Sequence, residues 1–81
     1  MKNIIDIRSR DKYNINHIPG AINIESFELM NNPSKYLNKN NVYYLYCTSG
    51  YTSSIVSNKL NNIGFNTVNI DGGFNNYLLR K

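Results

Sequence analysis

The run Val42-Tyr43-Tyr44-Leu45-Tyr46 most constrains what this chain can fold into. Its residues are apolar or aromatic on both alternating faces. A strand with one wet face would alternate with polar residues, whereas a strand covered on both sides need not. A central parallel strand with helices on each side is the expectation. Parallel strands need crossover connections, and the rest of the chain supplies them. Asn3-Ile4-Ile5-Asp6-Ile7 is a short β-branched run that predicts a buried strand almost at the first residue. Ser9 to Asn16 is polar and suits a single helical turn. His17-Ile18-Pro19-Gly20 is a turn signal leading into a second short strand, Ala21-Ile22-Asn23-Ile24. Ser26 to Met30 suggests a helical turn with Ser26 as its N-cap; Pro33 stops it and starts another turn through Leu37. From Thr52 to Ile63, the residues Val56, Leu60 and Ile63 fall at i, i+4 and i+7 with Ile55 beside them, the pattern of an amphipathic helix. Gly64 is placed as its C′ residue. Asn66 to Ile70 forms a fourth strand, Asp71-Gly72-Gly73 a turn, and Phe74 to Leu79 a last helix. This alternation predicts an α/β fold: a small parallel sheet of about four strands with helices on both faces, one domain over residues 1–81.

Eighty-one residues leave little core to spare, so every element has to contribute to it. A single cysteine excludes an internal disulfide framework and a multi-cysteine zinc site, and an unpaired thiol suits a reducing cytoplasm. Met1 to Asp6 has no long apolar stretch of a secretory leader, and nothing approaches the roughly 20 apolar residues of a membrane span. No membrane partner is expected. Nine basic against five acidic residues give a net charge of +4, a weak bias toward anionic partners. The cations are scattered apart from Arg8-Arg10-Lys12 and Arg80-Lys81, with no nucleic-acid motif beside them, so a solvated surface is the reading and no nucleic acid is expected.

The lone thiol, Cys47, sits where the apolar strand gives way to the polar stretch Thr48-Ser49-Gly50-Tyr51-Thr52-Ser53. In open α/β sheets the ligand crevice lies beyond the carboxyl ends of the strands. The residues after Cys47 wrap into a helix start, where unpaired backbone N–H groups and the positive end of the dipole converge. That environment favours a thiolate, the nucleophilic form. Gly50 lets the backbone turn sharply, so that successive amides point at one anion. Free cysteines also serve as small core residues. The polar, glycine-containing loop favours the functional reading, because a core cysteine needs no such loop.

Several segments together resemble a rhodanese-like domain over nearly the whole chain. Asp6-Ile7-Arg8 resembles the family's Asp-x-Arg strand end, and "HIPGAINI", residues 17 to 24, its His-Ile-Pro-Gly-Ala turn and strand. "YCTSGYTS", residues 46 to 53, resembles the Cys-x-x-Gly-x-Arg-Ser active loop; Gly64-Phe65 and "IDGGF", residues 70 to 74, resemble the closing segments. The resemblance implies a parallel sheet flanked by helices and sulfur transfer through a persulfide on Cys47. Thr48, Ser49, Gly50, Tyr51, Thr52 and Ser53 would form the substrate-binding loop, with Tyr51 facing substrate and Thr52 or Ser53 also capping the helix. Asp6 and Arg8 would flank the loop in a supporting role, and His17 would fix its turn by a hydrogen bond. Tyr43, Tyr44 and Tyr46 are assigned to core and sheet packing. No metal or organic cofactor is implied.

The departures are specific. Asn16 stands where glycine is common, and asparagine is the next best residue in left-handed backbone. Phe74 replaces the usual tryptophan. Thr52 stands where single-domain members commonly carry arginine, although two-domain thiosulfate and mercaptopyruvate sulfurtransferases resemble this chain in having threonine. The N-terminal helix and strand that usually precede the Asp-x-Arg strand are missing from this sequence. Thr67–Ile70 should then lie at a sheet edge, where pairing would give a homodimer. The implied partners are a small donor such as thiosulfate or a persulfide, and an acceptor thiol, cyanide or sulfur-accepting protein. Two other readings are a catalytically idle rhodanese-like binding module and a cysteine phosphatase or arsenate reductase. The last needs a longer loop and an arginine that clamps an oxyanion, and Cys47 to Ser53 contains none.

Overall fold

A computed structural model describes residues 2–80. In chain order it contains β1 (Ile4–Asp6), α1 (Arg10–Ile15), β2 (Ile22–Asn23), α2 (Ser26–Asn31), α3 (Pro33–Tyr36), β3 (Val42–Tyr46), α4 (Tyr51–Asn62), β4 (Asn66–Asn69) and α5 (Gly73–Leu79). The strands form one parallel sheet in the order β2-β1-β3-β4. The apolar run is a central strand, as its composition predicts. Asp6 of β1 lies opposite Tyr46 on one side of it, and Asn69 of β4 opposite Leu45 on the other. β4 occupies one edge of the sheet, the place expected for Thr67–Ile70.

The pleat sends alternate residues to opposite faces. Ile5, Ile7, Tyr43, Leu45 and Cys47 pack on one side with Leu29 of α2 and with Val56 and Leu60 of α4. Ile4 and Tyr46 pack on the other side with Ala21 and with Phe74 of α5. Burial of a side chain such as Leu45 or Leu60 stabilises the fold by roughly 1.5–3 kcal/mol, and both are almost fully enclosed. Phe74 stacks on Tyr77 and Tyr46, so the phenyl ring fills the place expected for an indole by packing alone.

Four local expectations are corrected. The segment after β1 is a six-residue helix rather than a single turn, because Ser9 caps it by accepting the Lys12 N–H at 3.3 Å. Ser26 is the first residue of α2 and not its cap; its N–H donates instead to the Ile7 carbonyl at 3.1 Å. Asn16 has φ −167°, extended backbone open to any residue, so no left-handed turn is demanded there. In α4, Val56 and Leu60 are buried as predicted, but Ile55 and Ile63 are exposed and Ser53 and Ser57 are buried instead. β4 explains the exchange. Ser57 Oγ meets Thr67 Oγ1 at 2.6 Å, while Asn61 accepts the Thr67 N–H at 2.8 Å and donates to the Thr67 carbonyl at 3.0 Å. Ser53, Ser57 and Asn61, four residues apart, form a satisfied polar seam between helix and edge strand.

Candidate active site

β3 ends at Tyr46, and the next residue, Cys47, turns its side chain toward the start of α4. Its Sγ accepts hydrogen bonds from the Gly50 N–H at 3.2 Å and the Ser53 N–H at 3.3 Å, with the Ser53 hydroxyl also at 3.3 Å. Ser53 is the third residue of α4, so the sulfur stands where an N-cap serine or aspartate would place its oxygen. This corrects the expectation that Thr52 or Ser53 caps the helix: both lie inside it. Gly50 precedes the helix in left-handed backbone, φ +97°, which lets its own N–H face the sulfur.

The glycines of the following turn bring α5 against this loop. A Cβ on Gly73 would collide with the Cys47 and Thr48 carbonyl oxygens. Without one, the Phe74 and Asn75 N–H groups donate to those two carbonyls at 2.9 Å each. The carbonyls of the loop are thereby turned toward α5, leaving amides for the sulfur.

Burial pushes the Cys47 thiol up, but hydrogen bonds from the Ser53 hydroxyl and from the Ser53, Gly50 and Ser49 amides outweigh it, and the net effect lowers the pKa. Donors that converge on a sulfur stabilise any negative charge placed there, whether on a thiolate or one atom further out.

Cys47 opens onto a cavity of about 340 Å³. Thr48, Ser49 and Thr52 line it from the loop; Arg8, Ser9 and Lys12 line it from the end of β1 and the start of α1. Arg8 is buried and bound to Asp6. Its Nη2 donates to Asp6 Oδ2 at 2.7 Å, its Nε to both carboxylate oxygens at 3.0 and 3.1 Å, and its backbone N–H to Oδ1 at 2.9 Å. Arg8 also donates to the Asn16 carbonyl at 2.7 Å and lies 4.1 Å from the Phe74 ring centre. The pair is a wall of the site with its charge cancelled internally. Lys12, on the same wall, is exposed and makes no ion pair among the described residues.

The structure thus brings Cys47, Thr48, Ser49, Gly50, Thr52, Ser53 and Arg8 together, with Asp6 behind Arg8. Tyr51 does not face the cavity. It is 74% exposed, because Ser53 points at the sheet and a residue two positions earlier on a helix points away. His17 stays outside the cavity as well: its Nδ1 is 2.9 Å from the Tyr13 carbonyl and its ring stacks on Tyr13 at 3.8 Å. That is the turn-fixing contact expected of it. Tyr43 and Tyr46 are buried, and Tyr44 half-buried. Two residues escaped the sequence reading. Lys12 reaches the cavity only because Ser9 starts a helix, and Ser9 before a polar stretch is the signal that would have found it. Asn69 of β4 accepts from the Ser53 hydroxyl at 2.5 Å, and no local pattern marks it. Among the described residues, no helix is long and apolar enough to cross a membrane.

The rhodanese-like domain model matches residues 1–80. A tRNA sulfurtransferase of Desulfurococcus amylolyticus is 32% identical over 74 residues, covering 91% of this chain and 14% of that protein. A putative sulfur carrier protein of Bacillus subtilis, YrkF, is 33% identical over 66 residues, covering 82% of this chain and 35% of that protein. The chain therefore spans well under two thirds of these curated relatives. A crystal structure from Staphylococcus saprophyticus superposes with a TM-score of 0.86 at 33% identity, over 94% of this chain and 75% of that one. With the parallel sheet, the cysteine loop between β3 and α4 and these likenesses together, the chain belongs to the rhodanese-like domain family.

Proposed function

We propose that this domain is a sulfurtransferase or persulfide carrier that moves sulfane sulfur through Cys47. The observation that carries the reading is the convergence of the Gly50 and Ser53 donors on a thiol that opens onto a cavity with Lys12 on its wall. The Cys47 thiolate attacks the outer sulfur of a donor, thiosulfate or a persulfide, forming one S–S bond as the donor's own S–S bond breaks. The bonding pair leaves with sulfite or with the donor thiolate. Neither needs a proton to depart, so no general acid is required. The terminal sulfur of the Cys47 persulfide carries the negative charge among the loop amides. An acceptor thiolate then attacks that sulfur and leaves with it as a new persulfide, or cyanide leaves as thiocyanate; either way the Cys47 thiolate is regenerated. The acceptor can equally be a cysteine of another protein, in keeping with relatives named as tRNA sulfurtransferases and a sulfur carrier.

Oxyanion chemistry of the phosphatase kind finds less support, since the loop contains no arginine and Arg8 spends its donors on Asp6 and Asn16. The test is intact-mass measurement after exposure to thiosulfate and, separately, to a low-molecular-weight persulfide. The expected result is a gain of one sulfur atom that is absent in Cys47→Ser and removed by cyanide or thiol. No gain with either donor, or a gain that persists in Cys47→Ser, overturns the proposal.

A further inference from the structure

The Ser53 hydroxyl has one proton and three acceptors within reach. The Cys47 sulfur and the Gly50 carbonyl each lie 3.3 Å away, and Asn69 Oδ1 lies at 2.5 Å. Only one can take a strong, linear bond at a time. The Asn69 amide is itself held in one orientation. Its Nδ2 faces two acceptors, the Gly50 carbonyl at 3.4 Å and Asp71 Oδ1 at 3.2 Å. Turning the amide over would set its oxygen against both, oxygen facing oxygen, and take this donor from Asp71. The carbonyl end therefore stays on Ser53, and in the neutral-thiol state the shorter contact holds the hydroxyl proton.

We infer that Asn69 is a positioning residue that competes with the Cys47 sulfur for the Ser53 proton. While Cys47 is a thiol, Ser53 donates to Asn69. When negative charge develops on sulfur, a charge-assisted bond outweighs the neutral one and the hydroxyl swings to it. The loop amides are fixed donors, whereas this hydroxyl is a donor called on by charge. Asn69 thus sets how far the Cys47 pKa falls, and it acts only through Ser53. The other charged or titratable groups around the site are Arg8 and Lys12 on the cavity wall, Asp6 bound to Arg8, Asp71 beside Asn69, and Tyr51 at the start of α4. None of them bonds to Ser53 or to the sulfur among the described residues; Asp71 alone bonds to a residue varied below, and Asn69→Ala frees its carboxylate with Ser53 present or absent, so the double variant separates that effect from the Ser53 proton.

The inference rests on Cys47 being the reacting sulfur, but its test reads the thiol by alkylation, which proceeds whether or not sulfur is transferred. The rate of iodoacetamide modification of Cys47 is measured against pH in wild type, Ser53→Ala, Asn69→Ala and the double variant, with circular dichroism to check the fold. Should Asn69→Ala not fold, Asn69→Val, β-branched and at home in a strand, replaces it. Asn69→Ala should lower the midpoint by about half a unit or more, the worth of the neutral bond that Ser53 no longer gives up on ionisation. Ser53→Ala should raise it, and the double variant should match Ser53→Ala. An unmoved midpoint in Asn69→Ala or in Ser53→Ala overturns the inference. So does an Asn69 effect of equal size in the Ser53→Ala background, which would make Asn69 a merely structural partner of the loop.

Discussion

Replacement of Asp6 by alanine tests how the wall of the site is held. The Asp6 side chain is fully buried and that of Arg8 is 6% exposed. They form a buried pair, to which the small value of an exposed salt bridge does not apply. Asp6→Ala removes every carboxylate acceptor of Arg8 and leaves the guanidinium with the Asn16 carbonyl and the Phe74 ring. Stranding one charge of a buried pair costs about 3–5 kcal/mol. At roughly 0.05–0.15 kcal/mol per residue, 81 residues have a total stability of about 4–12 kcal/mol, so this single change removes about a quarter of it or more. In urea, followed by far-UV circular dichroism, the midpoint should fall by more than about 1 M. The double variant Asp6→Leu/Arg8→Met should recover most of the loss, because it removes the buried charge along with its partner and keeps a long side chain against Phe74. A cost below about 1 kcal/mol for Asp6→Ala, or a double variant no better than the single one, would refute the reasoning.

Four further outcomes are expected. Because the folded pKa of Cys47 is lowered, its reactive thiolate is present above the folded midpoint, and the stability linked to it is full above the pKa of an unfolded thiol and lost as pH falls through the folded one; a wild-type alkylation midpoint at or above that of an ordinary thiol contradicts this. Lys12→Ala should raise KM for thiosulfate about five-fold, near the 1 kcal/mol upper end for an exposed ion pair, and Thr52→Arg should lower it while changing persulfide turnover much less; steady-state kinetics with both donors decides. β4 lies at the sheet edge with Val68 exposed, so light scattering should reveal a dimer that grows with concentration and is weakened by Val68→Lys; a wild type that stays monomeric at high concentration counts against edge pairing.

The layout of the fold was legible because its signals are local. Five consecutive apolar or aromatic residues make β3 central whatever surrounds them, and Gly64 ends α4 with a positive φ that a glycine adopts without strain. The position of Cys47 between strand and helix follows from the same local reading. The polar parts of the site were not legible in this way. Ser53, Ser57 and Asn61 repeat every four residues like a solvated stripe, and only β4 converts that stripe into a hydrogen-bonded seam, buried at Ser53 and Ser57, by placing Asn69 and Thr67 opposite it. Asn69 reaches Ser53 from 16 residues away, and Lys12 joins Cys47 from a different helix. A buried hydrophobic residue announces itself through periodicity, whereas a buried polar residue is favourable only if a partner from another segment meets it. The amino-acid order alone therefore determined the strand–helix alternation and the thiol at its carboxyl edge. Tertiary packing decided which donors reach the sulfur, which cation stands free beside it, and which asparagine competes for its hydroxyl partner, because each depends on a meeting of segments that no local pattern records.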